Sequence, residues 1–235
     1  MNLKSWAATL SFLMCSTAVA SASPCATETL ADYIALGSAG CTVGPKLLFD
    51  NFSFVVLDSS GGAMAVTPNQ ITVTPEVTPG SPYGLNYAST GFKVTAGQSI
   101  QYLLSYTISD PPPIIRGFYL HLFTDPPIFP GLVDISSKEC LGAAFSSGMC
   151  SGTPLTQDVF TNGHISSLTS FRTFSQIDVL GDETTITLDA SKGGTASFTS
   201  FTESGVVPEP RSALLVGAGL ATVLIAITRR KAKHS

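Results

Sequence analysis

Strict alternation of apolar and polar side chains constrains the fold of this chain more than any other feature. Between residues 99 and 109 every second residue is apolar, and most of the residues between them carry a hydroxyl or an amide. Successive side chains of a β-strand point to opposite faces, so the pattern predicts an antiparallel strand with one buried and one hydrated face. The apolar set is Ile100, Tyr102, Leu104, Tyr106 and Ile108.

Shorter stretches with the same period predict further strands, and turn-forming residues separate them. The Gly181-Asp182 pair predicts a tight hairpin between two of these strands. The stretches are residues 47–57, 70–77, 92–95, 114–123, 173–180, 184–188 and 195–201.

One short helix is expected at residues 27–36, where Leu30, Tyr33 and Ile34 share a face. Gly37 follows it and suits the left-handed backbone that ends many helices. The whole pattern predicts a mainly β protein, a single antiparallel β-sandwich with a short N-terminal helix, and a jelly roll is one topology that fits.

The period fails between residues 125 and 170, where prolines and glycines are frequent. This segment is therefore predicted to be a long loop excursion. Long ordered loops on rigid β scaffolds often carry binding residues, although an elaborated loop without a ligand is the simpler interpretation.

Both ends of the chain carry targeting features. Residues 1–22 combine Lys4, an apolar core and two A-x-A sites, as a secretory signal peptide does. Residues 23–205 are then the exported domain. That assignment places the domain in an oxidising compartment.

The cysteine count fits this location. Cys15 leaves with the signal peptide, and four cysteines remain, which predicts two disulfides. Local pairing is favoured, Cys25 with Cys41 and Cys140 with Cys150, because each pair brackets one compact segment. Zinc is disfavoured because neither spacing is typical of a zinc site and no histidine lies near either pair.

The exported part is strongly acidic. Residues 23–207 contain six basic and fifteen acidic side chains, a net charge of −9 with histidine neutral. Such a surface argues against nucleic acid or anionic lipid as a partner, because both are negatively charged.

Catalytic motifs are missing from the sequence, and the histidines are few. His121 falls within a predicted strand, which indicates a partly buried strand residue, whereas His164 in the loop is the better site candidate despite its solvated surroundings. The chain is accordingly interpreted as a protein that is not an enzyme, with no cofactor.

Two further groups of residues are candidate binding sites. Four carboxylates around the predicted hairpin could meet to bind calcium, although their spacing matches no known loop. Five tyrosines could form a sugar-stacking surface, although Tyr102 and Tyr106 share a face with core residues. The carboxylates are Asp178, Asp182, Glu183 and Asp189, and the other tyrosines are Tyr83, Tyr87 and Tyr119.

The last segment, residues 206–235, has three parts. Pro208, Glu209 and Pro210 come first, and the apolar residues 212–228 follow. Seventeen helical residues span roughly 25 Å, which just crosses a bilayer, so a C-terminal transmembrane helix is predicted. A basic end would hold it at the cytoplasmic side, through Arg229, Arg230, Lys231 and Lys233.

This tail resembles the PEP-CTERM sorting signal of Gram-negative bacteria. The body is also similar to small exported β proteins that acidobacteria attach to such tails, in residues 32–37 and 91–99. The resemblance implies handling by an exosortase and the secretion machinery. It further implies inner-membrane anchoring before processing, and then a place at the cell surface or in the biofilm matrix beside exopolysaccharide.

Two functions are therefore expected. The first is an exported envelope or biofilm-matrix protein without enzymatic activity, and the second is an extracellular carbohydrate-binding module or weak glycan-acting enzyme. An ordinary membrane anchor without processing is the alternative for the tail.

Overall fold

The computed structural model describes residues 22–44, 47–77, 82–109, 115–124 and 131–207. The predicted signal peptide, apart from Ala22, lies outside these ranges, as do the Pro208-Glu209-Pro210 motif, the apolar run and the basic end. Within the described ranges no helix has the length and apolarity needed to cross a bilayer.

The described chain is mainly β, with one α-helix, α1 (Leu30–Ala35), and two single-turn 3-10 helices, Gly37–Ala39 and Pro68–Gln70. The first nine strands are β1 (Ser23–Pro24), β2 (Glu28–Thr29), β3 (Cys41–Val43), β4 (Leu47–Ser60), β5 (Thr72–Glu76), β6 (Tyr83–Ala88), β7 (Lys93–Thr95), β8 (Ser99–Ser109) and β9 (Ile115–Phe123). The others are β10 (Leu132–Leu141), β11 (Phe145–Ser146), β12 (Met149–Cys150), β13 (Thr153–Thr161), β14 (Ser166–Ser167), β15 (Thr169–Ile177), β16 (Val179–Asp189), β17 (Thr195–Ser197) and β18 (Ser200–Val206).

Two large sheets form a sandwich. The eight-stranded sheet has the order β1-β3-β4-β8-β16-β10-β13-β14, and the six-stranded sheet has the order β15-β9-β18-β6-β5-β2. Every described strand pair is antiparallel except β1 with β3. Two small pairs, β11-β12 and β17-β7, lie outside these sheets.

The hydrophobic core lies between the two sheets, where the alternating strands place their apolar side chains. Strand β8 has the predicted bounds, and its five apolar residues are buried. Tyr106 from β8 meets Tyr87 of β6 across the sandwich, with ring centroids 6.4 Å apart. The six-stranded sheet contributes Phe118, Leu120 and Phe201, each fully buried. The predicted β-sandwich is thus confirmed as far as the described residues extend.

The predicted helix is present but shorter than expected. Residues 28 and 29 pair with β5 instead, and the helix begins after Thr29. Thr29 and Asp32 form a capping box, which explains the start, since the two side chains satisfy free amide groups of the first turn. Gly37 has a φ of 55°, the left-handed conformation expected after the last turn.

The predicted hairpin at Gly181-Asp182 is wrong, because both residues lie inside β16. Glycine is needed at position 181 because the backbone of residues 143–145 packs directly against it, and not because the chain turns there. A Cβ on Gly181 would lie 2.8 Å from the amide nitrogen of Phe145, and the Gly181 amide donates to the carbonyl of Ala143 at 2.9 Å. The chain changes sheets at Asp178, between β15 and β16.

The predicted loop at residues 125–170 is also wrong over most of its length. It contains β10 and β13, which pair from Val133 with Thr161 to Leu141 with Thr153. Their inward positions include polar residues, Ser137, Glu139 and Gln157, all fully buried. These side chains break the apolar alternation, so the strand period is hidden in the sequence.

Two smaller strand predictions need correction. Strand β6 was not expected, because Gly84, Asn86 and Ala88 weaken its propensity. Residues 195–201 were expected to form one strand, but they divide between β17 and β18, which belong to different sheets.

Both disulfides follow the local pairing. Cys25 bonds Cys41 and so joins the two flanks of α1, and Cys140 bonds Cys150 across the β11-β12 hairpin. Peptide mapping of unreduced protein should therefore recover these two links and no free thiol.

Removing the second link tests its contribution. The variant C140S/C150S should lose about 3 kcal/mol of unfolding free energy, because the bond closes a short loop in the unfolded chain. Urea unfolding followed by circular dichroism measures this loss. In the peptide map of the unreduced wild-type protein, recovery of Cys25 joined to Cys150 would contradict the pairing.

Candidate functional site

The outer face of the six-stranded sheet carries a row of aromatic side chains. Tyr119, His121 and Phe123 alternate along β9 with the buried Phe118, Leu120 and Leu122 and therefore point away from the core. The Tyr119 and His121 rings are nearly parallel, with centroids 6.0 Å apart. The Phe123 ring lies edge-on to His121 at 4.2 Å. The row is about 13 Å long from Tyr119 to Phe123 at the usual strand rise.

Strand β15 extends this aromatic face. Phe171 pairs in register with Tyr119 and is 46% exposed. Its ring lies over Gly117, where a Cβ would stand 3.1 Å from the ring edge. The absence of a side chain at Gly117 thus lets Phe171 lie flat beside the row.

Polar side chains line the other side of the row. Strand β18 lies between β9 and β6. Its residue Thr202 is opposite His121 of β9 on one side and opposite Asn86 of β6 on the other. The Asn86 amide donates to the Thr202 hydroxyl at 2.9 Å, and that hydroxyl donates to Glu76 at 3.1 Å. These two hydrogen bonds hold one amide and one carboxylate at Thr202, whose strand β18 is the neighbour of β9.

His121 is held as a neutral ring in this setting. Its Nδ1 atom is 2.7 Å from the hydroxyl of Thr169, the cross-strand neighbour on β15. Partial burial lowers the pKa of His121, and Glu76 opposes this shift. A neutral imidazole presents one donor and one acceptor, which suits hydroxyl-bearing ligands.

The structure separates the five candidate tyrosines. Tyr87, Tyr102 and Tyr106 are buried, and the expectation that Tyr102 and Tyr106 belong to the core is confirmed. Tyr83 is half-buried and packs against the core, next to Gly44. Only Tyr119 of the five lies on the outer aromatic face, so the tyrosines do not form a common surface.

His164 lies where the sequence places it, in an exposed bend after β13. The Asn162 side chain caps this bend by accepting from the amides of His164 and Ile165. His164 also borders a cleft with Asp189 and Lys192. This arrangement matches the solvated loop histidine expected from the sequence.

The four carboxylates considered for calcium do not converge. Asp182 is buried between the sheets, and Asp189 lies seven residues further along the same extended strand, about 23 Å away. Asp189 accepts from the amide of Ser191 in the following turn. In the described part of the chain, no group of three or more histidine, cysteine or acidic residues is placed to hold a metal ion.

Sequence reasoning found part of this face and missed the rest. The sequence predicts that Tyr119, His121 and Phe123 alternate along one strand and offers Tyr119 for sugar stacking, but it assigns His121 as a partly buried strand residue and gives Phe123 no role. Phe171 and Asn86 were missed because of the strands that carry them. The strand of Phe171 was predicted to begin at residue 173, and the strand of Asn86 was not expected. In the sheet, β15 places Phe171 beside β9, and β6 places Asn86 beside β18, which separates it from β9.

No family model matches this chain, and no curated protein matches it either. The solved structure of TmCBM61 in complex with β-1,4-galactotriose aligns with 66% of this chain and 88% of its own, at 14% identity and a TM-score of 0.32. At that degree of similarity the match transfers neither a topology nor a ligand.

The polar chain on this face can be tested by replacing Thr202 with valine. The variant keeps the shape but leaves the Asn86 amide and the Glu76 carboxylate without their shared partner, so unfolding should require about 1–2 kcal/mol less free energy. Urea unfolding gives the number. Thr74→Val, at an exposed position of the same face, is the control and should have little effect. Equal effects of the two changes would contradict the assigned role of Thr202.

Proposed function

We propose that this chain is an exported carbohydrate-binding β-sandwich, which binds a glycan on the outer face of its six-stranded sheet. The observation that carries the proposal is the aromatic row of Tyr119, His121 and Phe123, with Phe171 beside it. Phe123 and Phe171 are exposed and Tyr119 and His121 are half-buried, and a cluster of aromatic rings that reaches solvent commonly marks a binding site.

The chemistry of the face fits a sugar. Pyranose rings present apolar C–H faces that stack on aromatic rings, and their hydroxyls need planar donors and acceptors at the ring edge. Asn86, Glu76 and His121 supply such groups within the same face. The rigid strands hold both sets of groups, so little ordering is required when a ligand binds.

The face also favours a chain of sugars over a single ring. The row runs along β9 for about 13 Å and is open to solvent at Phe123 and Phe171. An extended site of this kind suits an oligosaccharide. The acidic charge of the domain disfavours anionic polysaccharides and thus supports a neutral glycan.

The proposed binding is tested by alanine substitution on the aromatic face. Glycan-array screening of the full chain identifies the ligand, and titration calorimetry then compares variants. Tyr119→Ala and Phe171→Ala should each weaken binding by about tenfold, since one stacked ring is lost. Val55→Ala is the matched control, because Val55 is 45% exposed on the eight-stranded sheet.

Two outcomes would decide against this function. The array could show no glycan above background for the full chain, or the Tyr119 and Phe171 variants could bind as tightly as the control. Thermal unfolding of each variant should be recorded in parallel, so that lost binding is not mistaken for lost folding.

The route to the surface is a second part of the proposal. The tail resembles a PEP-CTERM signal, and the two disulfides suit an oxidising compartment. An exosortase would remove the residues after the motif and leave the domain in the envelope or the biofilm matrix.

Processing is tested by intact-mass spectrometry of surface material. We expect a mass decrease of a few kilodaltons that is lost in an exosortase-deficient strain. Replacing Pro208, Glu209 and Pro210 with alanine should also stop cleavage, while the apolar run is unchanged. Surface protein that still ends in Arg229 to Ser235 would mean that the tail is an ordinary anchor.

A further inference from the structure

Three carboxyl groups lie buried between the two sheets. Glu139 of β10, Asp182 of β16 and Glu203 of β18 have no exposed surface, and Glu139 pairs in register with Asp182. Glu203 faces them from the six-stranded sheet. Each hydrogen-bond partner described for these groups is neutral: Ser137, Thr184, Gln157 and Tyr106.

Two hydroxyl groups link the three acids into a chain. The Ser137 oxygen lies 3.0 Å from Glu139 Oε1 and 2.6 Å from Asp182 Oδ2. The Thr184 oxygen lies 2.8 Å from Asp182 Oδ1 and also contacts Glu203 Oε1. Each hydroxyl owns one proton and can donate to only one of its two carboxyl neighbours. The other neighbour must therefore donate to the hydroxyl oxygen, which requires a protonated acid.

Every assignment that satisfies both links places two protons on the three acids, and we adopt the one in which the acid between the two hydroxyls carries the charge. Asp182 is ionised and accepts from both hydroxyls, one on each oxygen. Glu139 is protonated and donates to Ser137, and Glu203 is protonated and donates to Thr184. The other oxygen of Glu203 then accepts from the Tyr106 hydroxyl, at 2.8 Å. The three acids thus share two protons and carry a single negative charge.

Unpartnered atoms point to the same assignment. Glu139 Oε2 and Gln157 Oε1 are both buried without a hydrogen-bond partner, although the Gln157 amide donates to the other oxygen of Glu139 at 2.9 Å. A charged carboxylate with one dry, unpaired oxygen is far more costly than the carbonyl oxygen of a neutral acid. The surroundings of the Glu139 carboxyl group therefore favour its protonated form.

The pKa values of Glu139 and Glu203 shift in the direction that the geometry requires, and the pKa of Asp182, although also raised, stays below that of Glu139. Burial raises the pKa of Glu139 to about 8 and that of Asp182 to about 7, and it raises the pKa of Glu203 well above its ordinary value. The other groups that face the cluster are Tyr106 from β8 and Tyr87 from β6, whose pKa values burial also raises, so both stay neutral. Glu183 on the opposite face of β16 adds a smaller upward contribution to the pKa of Asp182.

We propose that Glu139, Asp182 and Glu203 act as a proton-dependent clamp between the two sheets, closed while they share two protons and released when all three ionise. The links from Thr184 and Tyr106 to Glu203 cross from one sheet to the other, so they are the contacts that full ionisation would break. This inference goes beyond glycan binding and does not depend on it.

The clamp predicts how stability changes with pH. In the unfolded chain Glu139 and Glu203 ionise near pH 4, whereas in the folded chain they keep their protons past neutrality. The stabilisation from these two acids is therefore complete below about pH 4 and is lost as pH rises through about 8, the pKa of Glu139. Between pH 5 and 7 the folded state binds two more protons than the unfolded state. The unfolding equilibrium constant should rise about 100-fold for each pH unit there.

Urea unfolding of the full chain at several pH values tests the proposal. Glu139→Gln and Glu203→Gln each replace a protonated acid by a neutral side chain of the same shape. Each should reduce the dependence to about tenfold per pH unit, and the double variant should remove most of it. Glu28→Gln, at an exposed position, is the control and should leave the dependence unchanged.

Three results would overturn the clamp. The wild-type chain could show no loss of stability between pH 5 and 7, or the glutamine variants could keep the full dependence. Stabilisation of the wild type by added Ca²⁺ or Mg²⁺ would instead indicate ionised acids around a cation. If the variants do not fold, carbon NMR of the wild-type carboxyl groups decides, since two of the three acids should still be protonated at pH 6.

Discussion

The pairing of β8 with β16 is the interaction on which the rest of the molecule depends. The two strands pair along their whole length, from Ser99 opposite Asp189 to Ser109 opposite Val179. They occupy the middle of the eight-stranded sheet, with β4 on one side and β10 on the other. Their inner faces supply most of one wall of the core, and they also set Tyr106 beside Asp182. A slip of one residue would turn every one of these side chains to the opposite face.

The alternation of side chains along β18 explains the contrast between the two sides of the six-stranded sheet. Strand β18 alternates between them, so Glu203 enters the carboxyl cluster while Thr202 faces outward to Asn86 and Glu76. One strand therefore links a buried acidic centre to the proposed glycan face. The inner side is fixed by proton-sharing acids, and the outer side presents exposed rings.

Local sequence pattern predicted those parts of the fold in which the alternation is apolar. Strand β8 was predicted to the residue, and β4 and β9 were located nearly correctly, because their inward positions are all hydrophobic. The pattern failed at β10, β13 and β16, whose inward positions include Ser137, Gln157 and Asp182. A polar residue in a core is stabilised by partners from distant strands, and such partners cannot be deduced from local periodicity.

The candidate site was likewise predictable only where its residues lie on a single strand. Tyr119, His121 and Phe123 lie on one strand, so their shared face was evident from the sequence. Phe171, Asn86 and Glu76 reach that face from three other strands, and only the strand order brings them together. Cysteine pairing was easier to predict, because each partner lies within one compact segment.

The position of β18 has a consequence for how the protein is made. Residues 200–206 are the last described strand of the chain, yet they lie between β6 and β9 in the interior of the sheet. A ribosome releases the N-terminal end first, so almost the entire domain emerges before this gap can be filled. Until then β6 and β9 have unpaired edges, and their contacts with distant residues make closure slow. The six-stranded sheet can consequently be completed only after residues 200–206 have been synthesised, so its closure is a late step of folding.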